Sequence, residues 1–234
     1  EDGRPAFYGM DEEQFRKQFE GMSRDEIYMT VMDYSGNRVP VFQGSLRNTF
    51  SYKRFTLAVN MVYSFGTKIR LLSLYPNVSA SYGTIAPQPE NNVRRELLKR
   101  WKNPGDENYT NIPGTLSGTA FTQTLAESTS INWWKDAAFR FADNIWQMYD
   151  NSDVRVVSGD YMRLQSLSLR YAFPPAWLKK FGVNTASVGF YTTNLFTLCS
   201  KKLKGQDPAT QTGSSSSINM SNRPTFSLSF NVAF

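Results

Sequence analysis

Long stretches of this chain alternate apolar and polar residues with a period of two, and no other feature limits its fold as strongly. Over 41–53 the even positions Phe42, Gly44, Leu46, Asn48, Phe50 and Tyr52 are mostly apolar. The odd ones are polar after Val41: Gln43, Ser45, Arg47, Thr49, Ser51 and Lys53. Over 55–65 the odd positions Phe55, Leu57, Val59, Met61, Tyr63 and Phe65 take one face. Similar runs cover about 161–173, with Leu167, Leu169, Tyr171 and Phe173, and 185–198, with Ala186, Val188 and Phe190. The cleanest is the last, where Phe226, Leu228, Phe230, Val232 and Phe234 alternate with Thr225, Ser227, Ser229, Asn231 and Ala233. Alternation of this period is the signature of a strand, whose successive side chains point to opposite faces.

Length and spacing separate a membrane sheet from a soluble one. Each run matches the roughly 9–11 tilted residues that span a bilayer, whereas strands of soluble proteins average roughly 5–6. The connections alternate as well: a Lys53-Arg54 turn, a long segment over 67–154, a short one over 174–184 and a longer one over 199–223. Short and long loops on opposite sides, with apolar faces opposing small and polar ones, fit an outer-membrane barrel. The expected fold is therefore all-β, a transmembrane antiparallel barrel represented by about five strands. The smallest membrane barrels have about eight strands, so these need missing partners. The reading divides the chain into an extracellular loop over 1–40, a barrel hairpin over 41–66, a long extracellular loop over 67–154, and the last three strands with their connections over 155–234. Within the long loop, Asn92 is placed to cap a helix through Val93, Leu97, Leu98 and Trp101, stopped by Pro104-Gly105. A second helical spacing runs from Trp133 to Tyr149, and Gly213 to Ser217 reads as a loop tip.

Composition narrows the chemistry. Aromatic residues make up 15% of the chain, rich enough for interfacial girdles. No run approaches the roughly 18 apolar residues of a transmembrane helix, and Glu1-Asp2-Gly3-Arg4-Pro5 is not a secretory leader. Histidine is absent and Cys199 is the one cysteine, which excludes disulfide frameworks, zinc fingers and HExxH sites. Cys199 reads as an inert buried or loop residue. Acid clusters such as Asp11-Glu12-Glu13, Asp25-Glu26 and Asp106-Glu107 have no nucleophile or base beside them, so no enzyme, cofactor or metal is expected. The net charge of +6 suits lipid headgroups or lipopolysaccharide at Lys179-Lys180 and Lys201-Lys202-Lys204 better than nucleic acid. Trp101, Trp133, Trp134 and Trp146 are candidates to line a ligand path by stacking, against the plainer reading of packing within loops.

Several motifs carry a family likeness. Arg100-Trp101-Lys102-Asn103-Pro104-Gly105-Asp106-Glu107 followed by Asn111-Ile112-Pro113 resembles the RWxxPGDxxxIP segment of SusC/RagA-like TonB-dependent outer-membrane transporters. Ser158 to Tyr171 is similar to that family's G(D/S)(Y/F)xRLxxxxLxY strand, Leu178-Lys179-Lys180-Phe181-Gly182 to its periplasmic turn, and Asn194-Leu195-Phe196-Thr197 to its NLFT motif. Val41 to Tyr52 resembles its GGxxNTFSYK hairpin, and Gly205-Gln206-Asp207-Pro208 its GxDP loop. Departures are Arg54 in place of the commoner turn glycine, a Ser run after the GxDP loop, and the absence of a plug and energy-coupling box.

The resemblance implies the C-terminal part of a barrel of roughly 22 strands in the cell outer membrane, with the C-terminus in the periplasm. It also implies import of large nutrients, oligosaccharides first and peptides second. The implied partners are a SusD-like surface lipoprotein, TonB acting through the missing N-terminal part, the remaining strands and plug, the barrel-assembly machinery and lipid or lipopolysaccharide. Phe226, Leu228, Phe230, Val232 and Phe234 would form the assembly signal. Two other readings of the residues stand beside it: a soluble or surface-attached β-sandwich that binds glycans through aromatic loops, and a passive porin or adhesion barrel.

Overall fold

A computed structural model describes residues 3–5, 17–75, 93–116, 145–210 and 223–234. The chain forms two compact units. One comprises 1–35, 70–156 and 214–217, and the other 36–69, 157–213 and 218–234.

The second unit is a five-stranded antiparallel sheet in the order β1-β2-β5-β6-β7. Its strands are β1 (Phe42–Tyr52), β2 (Phe55–Phe65), β5 (Tyr161–Ala172), β6 (Thr185–Cys199) and β7 (Thr225–Ala233). The short β3 (Lys68–Arg70) and β4 (Val156–Ser158) pair in a separate two-stranded sheet. The five long strands are those the alternation predicts, within a residue or two at each end. At 9 to 15 residues they have membrane-spanning length.

Register explains the faces. Phe42 lies opposite Phe65, Leu46 opposite Met61 and Phe50 opposite Leu57, so β1 and β2 share one apolar face. Across β2 and β5, Leu57 meets Leu169 and Val59 meets Leu167, and then the register shifts. Gln165 is the extra residue there, so beyond it the even positions Leu164 and Met162 join the face of Leu167 and Leu169. Between the Ser166–Thr193 and Leu164–Phe196 pairs, Asn194 and Leu195 of β6 stand against Gln165 alone, one residue more, and Asn194 takes φ +50°. Added to the one-residue bulge on β5, this second shift leaves the parity of β6 unchanged, so Phe190, Phe196 and Leu198 stay on one side. Such bulges bend a strand and re-aim its side chains.

In the first unit, Leu72, Leu74, Tyr75, Leu97, Ile145, Trp146 and Tyr149 form a small buried core. Helix α1 (Arg24–Val31) lies where only a loop is expected. Its signal is nevertheless in the sequence: the Ser23 N–H donates to Glu26 Oε2 at 2.7 Å and the Glu26 N–H to Ser23 Oγ at 3.4 Å, a reciprocal capping box. The helix expected from Asn92 is instead a 3-10 segment, Arg95–Lys99, without a side-chain cap. Three residues per turn put Leu97 in the core but leave Val93 and Leu98 exposed, so the face drawn at α-helical spacing does not exist. Asn92 itself lies outside the described residues. Helix α2 (Ile145–Asn151) realises the end of the helical spacing drawn from Trp133, whose earlier part lies outside them, as does Gly213 to Ser217. Cys199 is exposed at the end of β6 rather than buried.

Candidate functional site

The sheet has two chemically opposite faces. On one, Phe42, Leu46 and Phe50 of β1 and Phe226, Leu228, Phe230 and Val232 of β7 are each more than half exposed. Among the described residues no second sheet covers this face. Aromatic pairs mark its two ends. Phe42 and Tyr63 stack at 5.4 Å at one, and Phe55 and Tyr171 meet at 4.7 Å at the other. Along β2 the span from Phe55 to Tyr63 is about 26 Å at roughly 3.3 Å per residue. Tilted by about 40° it covers about 20 Å, close to the apolar band of an outer-membrane barrel.

The opposite face is polar. Thr56 lies against Arg170, Ala58 against Ser168, Val62 against Arg163 and Ser168 against Tyr191. Here the bulges open a recess of about 640 Å³ lined by residues such as Asn60, Tyr161, Arg163, Gln165, Tyr191 and Asn194. Asn60 Nδ2 donates to Gln165 Oε1 at 3.1 Å, a bond that exists because the bulge turns Gln165 toward β2. Arg163 is held on this face from several sides. Its Nε donates to Thr197 Oγ1 at 2.9 Å, its Nη2 to Asp207 Oδ1, and its guanidinium lies 5.6 Å from the Tyr161 ring. Asp207, fully buried, also accepts from the Ala209 N–H at 2.9 Å, which ties the connection after β6 to the strands. Amides, hydroxyls, phenols and one neutralised cation suit hydrogen bonding to a polar ligand. They supply no nucleophile with an adjacent base. Among the described residues no cluster of acids and cysteine could hold a metal.

In the first unit the RWKNPGDE segment is a closed turn. Gly105 takes φ +104°, Asp106 accepts from the Lys102 and Asn103 N–H groups, and Glu107 accepts from the Gly105 N–H and from Trp101 Nε1, all within 2.9–3.0 Å. The two acids of the Asp106-Glu107 cluster therefore fold the loop. Nearby, Arg155 is 3% exposed. It donates to Glu96 Oε2 at 2.9 Å and to the Leu72 carbonyl at 2.6 Å, and its Nε lies 3.7 Å from Asp150 Oδ1. Burial drives the Asp150 carboxyl above its ordinary value, and the Leu74 and Tyr75 N–H groups offset only part of that. Burial also pushes Glu96 upward, but Arg155 and Arg94 outweigh it and hold the carboxyl below its ordinary value.

No family model matches the chain. It is 25% identical over 162 residues to the TonB-dependent receptor P39 of Formosa agariphila, a match covering 69% of this chain and 12% of that receptor. The RagAB peptide importer in its closed-closed state superposes with a TM-score of 0.54 at 16% identity, over 87% of this chain and 18% of the importer chain. The open-open state of RagAB gives a TM-score of 0.50 at 15% identity, over 85% of this chain and 18% of that one. The sheet has the fold of a TonB-dependent transporter barrel. The match to the receptor agrees with the SusC/RagA-like likeness of the motifs, and the chain spans a small part of the length of each of these proteins.

The four tryptophans of the chain separate. Trp146 is 0% exposed, with Nε1 donating to the Gly114 carbonyl at 3.3 Å, so it packs the loop core and offers no stacking surface. Trp101 is half-buried and spends its Nε1 on Glu107. Trp133 and Trp134 lie outside the described residues, as does Asp11-Glu12-Glu13. The polar recess escaped the sequence because it is made by two bulges on neighbouring strands. The break in parity at Gln165 is the one trace the sequence carries of it.

Proposed function

We propose that this chain is part of an outer-membrane, TonB-dependent importer of large nutrients, forming barrel wall and outer loops. The observation that carries the proposal is a single-layer sheet of membrane-spanning strands with an uncovered apolar face and a polar opposite face. A soluble sandwich would bury that apolar face against a second sheet. In this reading the long connections lie outside the cell and the short ones in the periplasm, where the C-terminus also lies. The domain limits are those of an outer loop over 1–40, a hairpin over 41–66, a long loop over 67–154 and three strands over 155–234. A SusD-like lipoprotein covers the outer side, TonB powers the cycle through the plug, and lipid and lipopolysaccharide surround the wall. Phe226, Leu228, Phe230, Val232 and Phe234 are the side recognised by the barrel-assembly machinery.

Oligosaccharides are the preferred cargo, because the recess on the polar face offers amides, hydroxyls and tyrosines to a hydroxyl-rich ligand. Peptides are the second reading, favoured by the likeness to the RagAB peptide importer. The test is purification of the native polypeptide containing these residues from membranes. A large, heat-modifiable, detergent-dependent chain with a tightly bound lipoprotein, whose cells lose energised uptake without TonB, is expected. A small monomer soluble without detergent would overturn the proposal. Comparing uptake of labelled oligosaccharides and peptides then decides the cargo.

A further inference from the structure

At the end of the sheet that bears the two short connections, the charged side chains are all cationic. Lys53 and Arg54 form the β1–β2 turn, and Lys179 and Lys180 lie in the β5–β6 connection, all four exposed. The two connections adjoin: the Ala172 N–H donates to the Arg54 carbonyl at 3.0 Å, and Arg54 Nη1 donates to the Phe173 carbonyl at 3.2 Å. The only acids in this unit are Asp160 and Asp207. Asp160 accepts from the Thr67 N–H beyond the far end of β2, and Asp207 is paired with Arg163. No acidic side chain of this unit therefore stands near the turn-end cations, and the Phe234 terminus reaches the same end, where the Asn184 N–H donates to the Ala233 carbonyl at 2.8 Å. Arg170, on the polar face near the same end, donates its Nε to Ser187.

The same connection carries apolar side chains that are largely exposed. After Pro174 a short helix α3 (Pro175–Leu178) runs into a 3-10 turn closed by Gly182 at φ +68° and by the Val183 N–H on the Leu178 carbonyl. Trp177 and Phe181, at helical i and i+4 positions, are 59% and 79% exposed. Lys53 Nζ lies 5.3 Å from the ring centroid of exposed Tyr52. From here a line of rings, Phe173, Tyr171 and Phe55, leads onto the apolar face with centroids 5.4 and 4.7 Å apart. Aromatic rings settle at headgroup depth, lysines extend their ammonium groups from apolar stems to the interface, and clustered cations attract anionic lipid.

We propose that Lys53, Arg54, Lys179 and Lys180, with Trp177 and Phe181, form a binding site for the phosphate headgroups of anionic phospholipid in the leaflet that the short connections face. The inference rests on the barrel reading, and it commits to phospholipid because the cations are continuous with the apolar face.

The test uses the full-length transporter in mild detergent, incubated with phosphatidylglycerol or phosphatidylcholine and weighed by native mass spectrometry. The wild type is expected to retain phosphatidylglycerol in preference to phosphatidylcholine. The variant K53Q/R54Q/K179Q/K180Q retains about tenfold less of it. K179Q/K180Q, which leaves the Arg54 bond to Phe173 in place, falls part of the way. K201Q/K202Q/K204Q, beyond the opposite end of β6, retains as much as the wild type. Equal retention of both lipids, retention by the quadruple variant at the wild-type level, or loss confined to the opposite-end variant overturns the inference. Heat-modifiable migration is read on the same samples. A folded barrel without lipid preference sinks this inference alone, whereas no folded barrel sinks the reading it rests on.

Discussion

Gly105 takes φ +104° with nothing within 4 Å of the position a Cβ would occupy, so a side chain there meets backbone strain and no clash. Gly105→Ala is expected to loosen the RWKNPGDE turn by about 1 kcal/mol, seen as faster limited proteolysis of this segment. Gly44 is constrained differently, because an added Cβ would come within 2.6 Å of the Tyr63 hydroxyl that lies across it. Arg155 is more critical than either, being the cation that Glu96 and Asp150 share. Arg155→Ala leaves both carboxylates buried without it and is expected to destabilise the loop unit by about 3–5 kcal/mol. The two acids respond to pH with opposite sign. The folded value of Glu96 is depressed, so its contribution is complete above its unfolded value near 4.3 and is lost as pH falls through the depressed value. The folded value of Asp150 is raised, so its contribution is complete below about 3.9 and is lost as pH rises through the raised value. The two offset each other on acidification. Asp150→Asn should therefore steepen the acid loss of loop stability between roughly pH 5 and 3, measured as proteolytic cleavage against pH. An unchanged slope would refute this coupling.

At the scale of the strand, parity decides which substitutions matter. Leu167 lies opposite Val59 near the middle of the apolar face, while its neighbour Ser168 lies opposite Ala58 and Tyr191 on the polar one. Leu167→Arg is expected to cost about 2–4 kcal/mol, the penalty of a cation near a bilayer midplane, and Ser168→Arg much less. Heat-modifiable migration and denaturant midpoints of the full-length variants measure the difference, and equal effects would contradict the assignment of faces. Parity also marks where local reading stops. Leu164 and Met162 share the face of Leu167 only because Gln165 is an extra residue in the β2–β5 register. An unbroken period-two reading would put them on the wrong side. The bulge at Asn194 and Leu195 in β6 adds to that on β5, so the parity of β6 is kept and no such trace is left.

At the scale of the molecule, among the described residues the outer backbone edges of β1 and β7 have no strand beside them, and the apolar face between them is uncovered. Unpaired backbone polar groups in lipid cost several kcal/mol each, so under the proposed barrel reading the sheet would require further strands on both sides. Expressed alone without detergent, residues 36–234 should aggregate rather than give the monomer a binding module would give, and sedimentation distinguishes the two. Strand positions and the apolar face were legible because side-chain direction alternates locally. The α1 capping box was legible too, although the reading passed over it. The buried Glu96–Arg155–Asp150 cluster, the closure of Trp146 into a core, the recess around Gln165 and Asn194, and the joining of the Arg54 turn to the chain at Phe173 were not. Sequence by itself determined the strands, their length and the chemistry of the two faces, since these depend on neighbours two residues apart. Only the tertiary structure decided register, bulges and which distant charges share a buried site, because those follow from pairing between segments far apart in the chain.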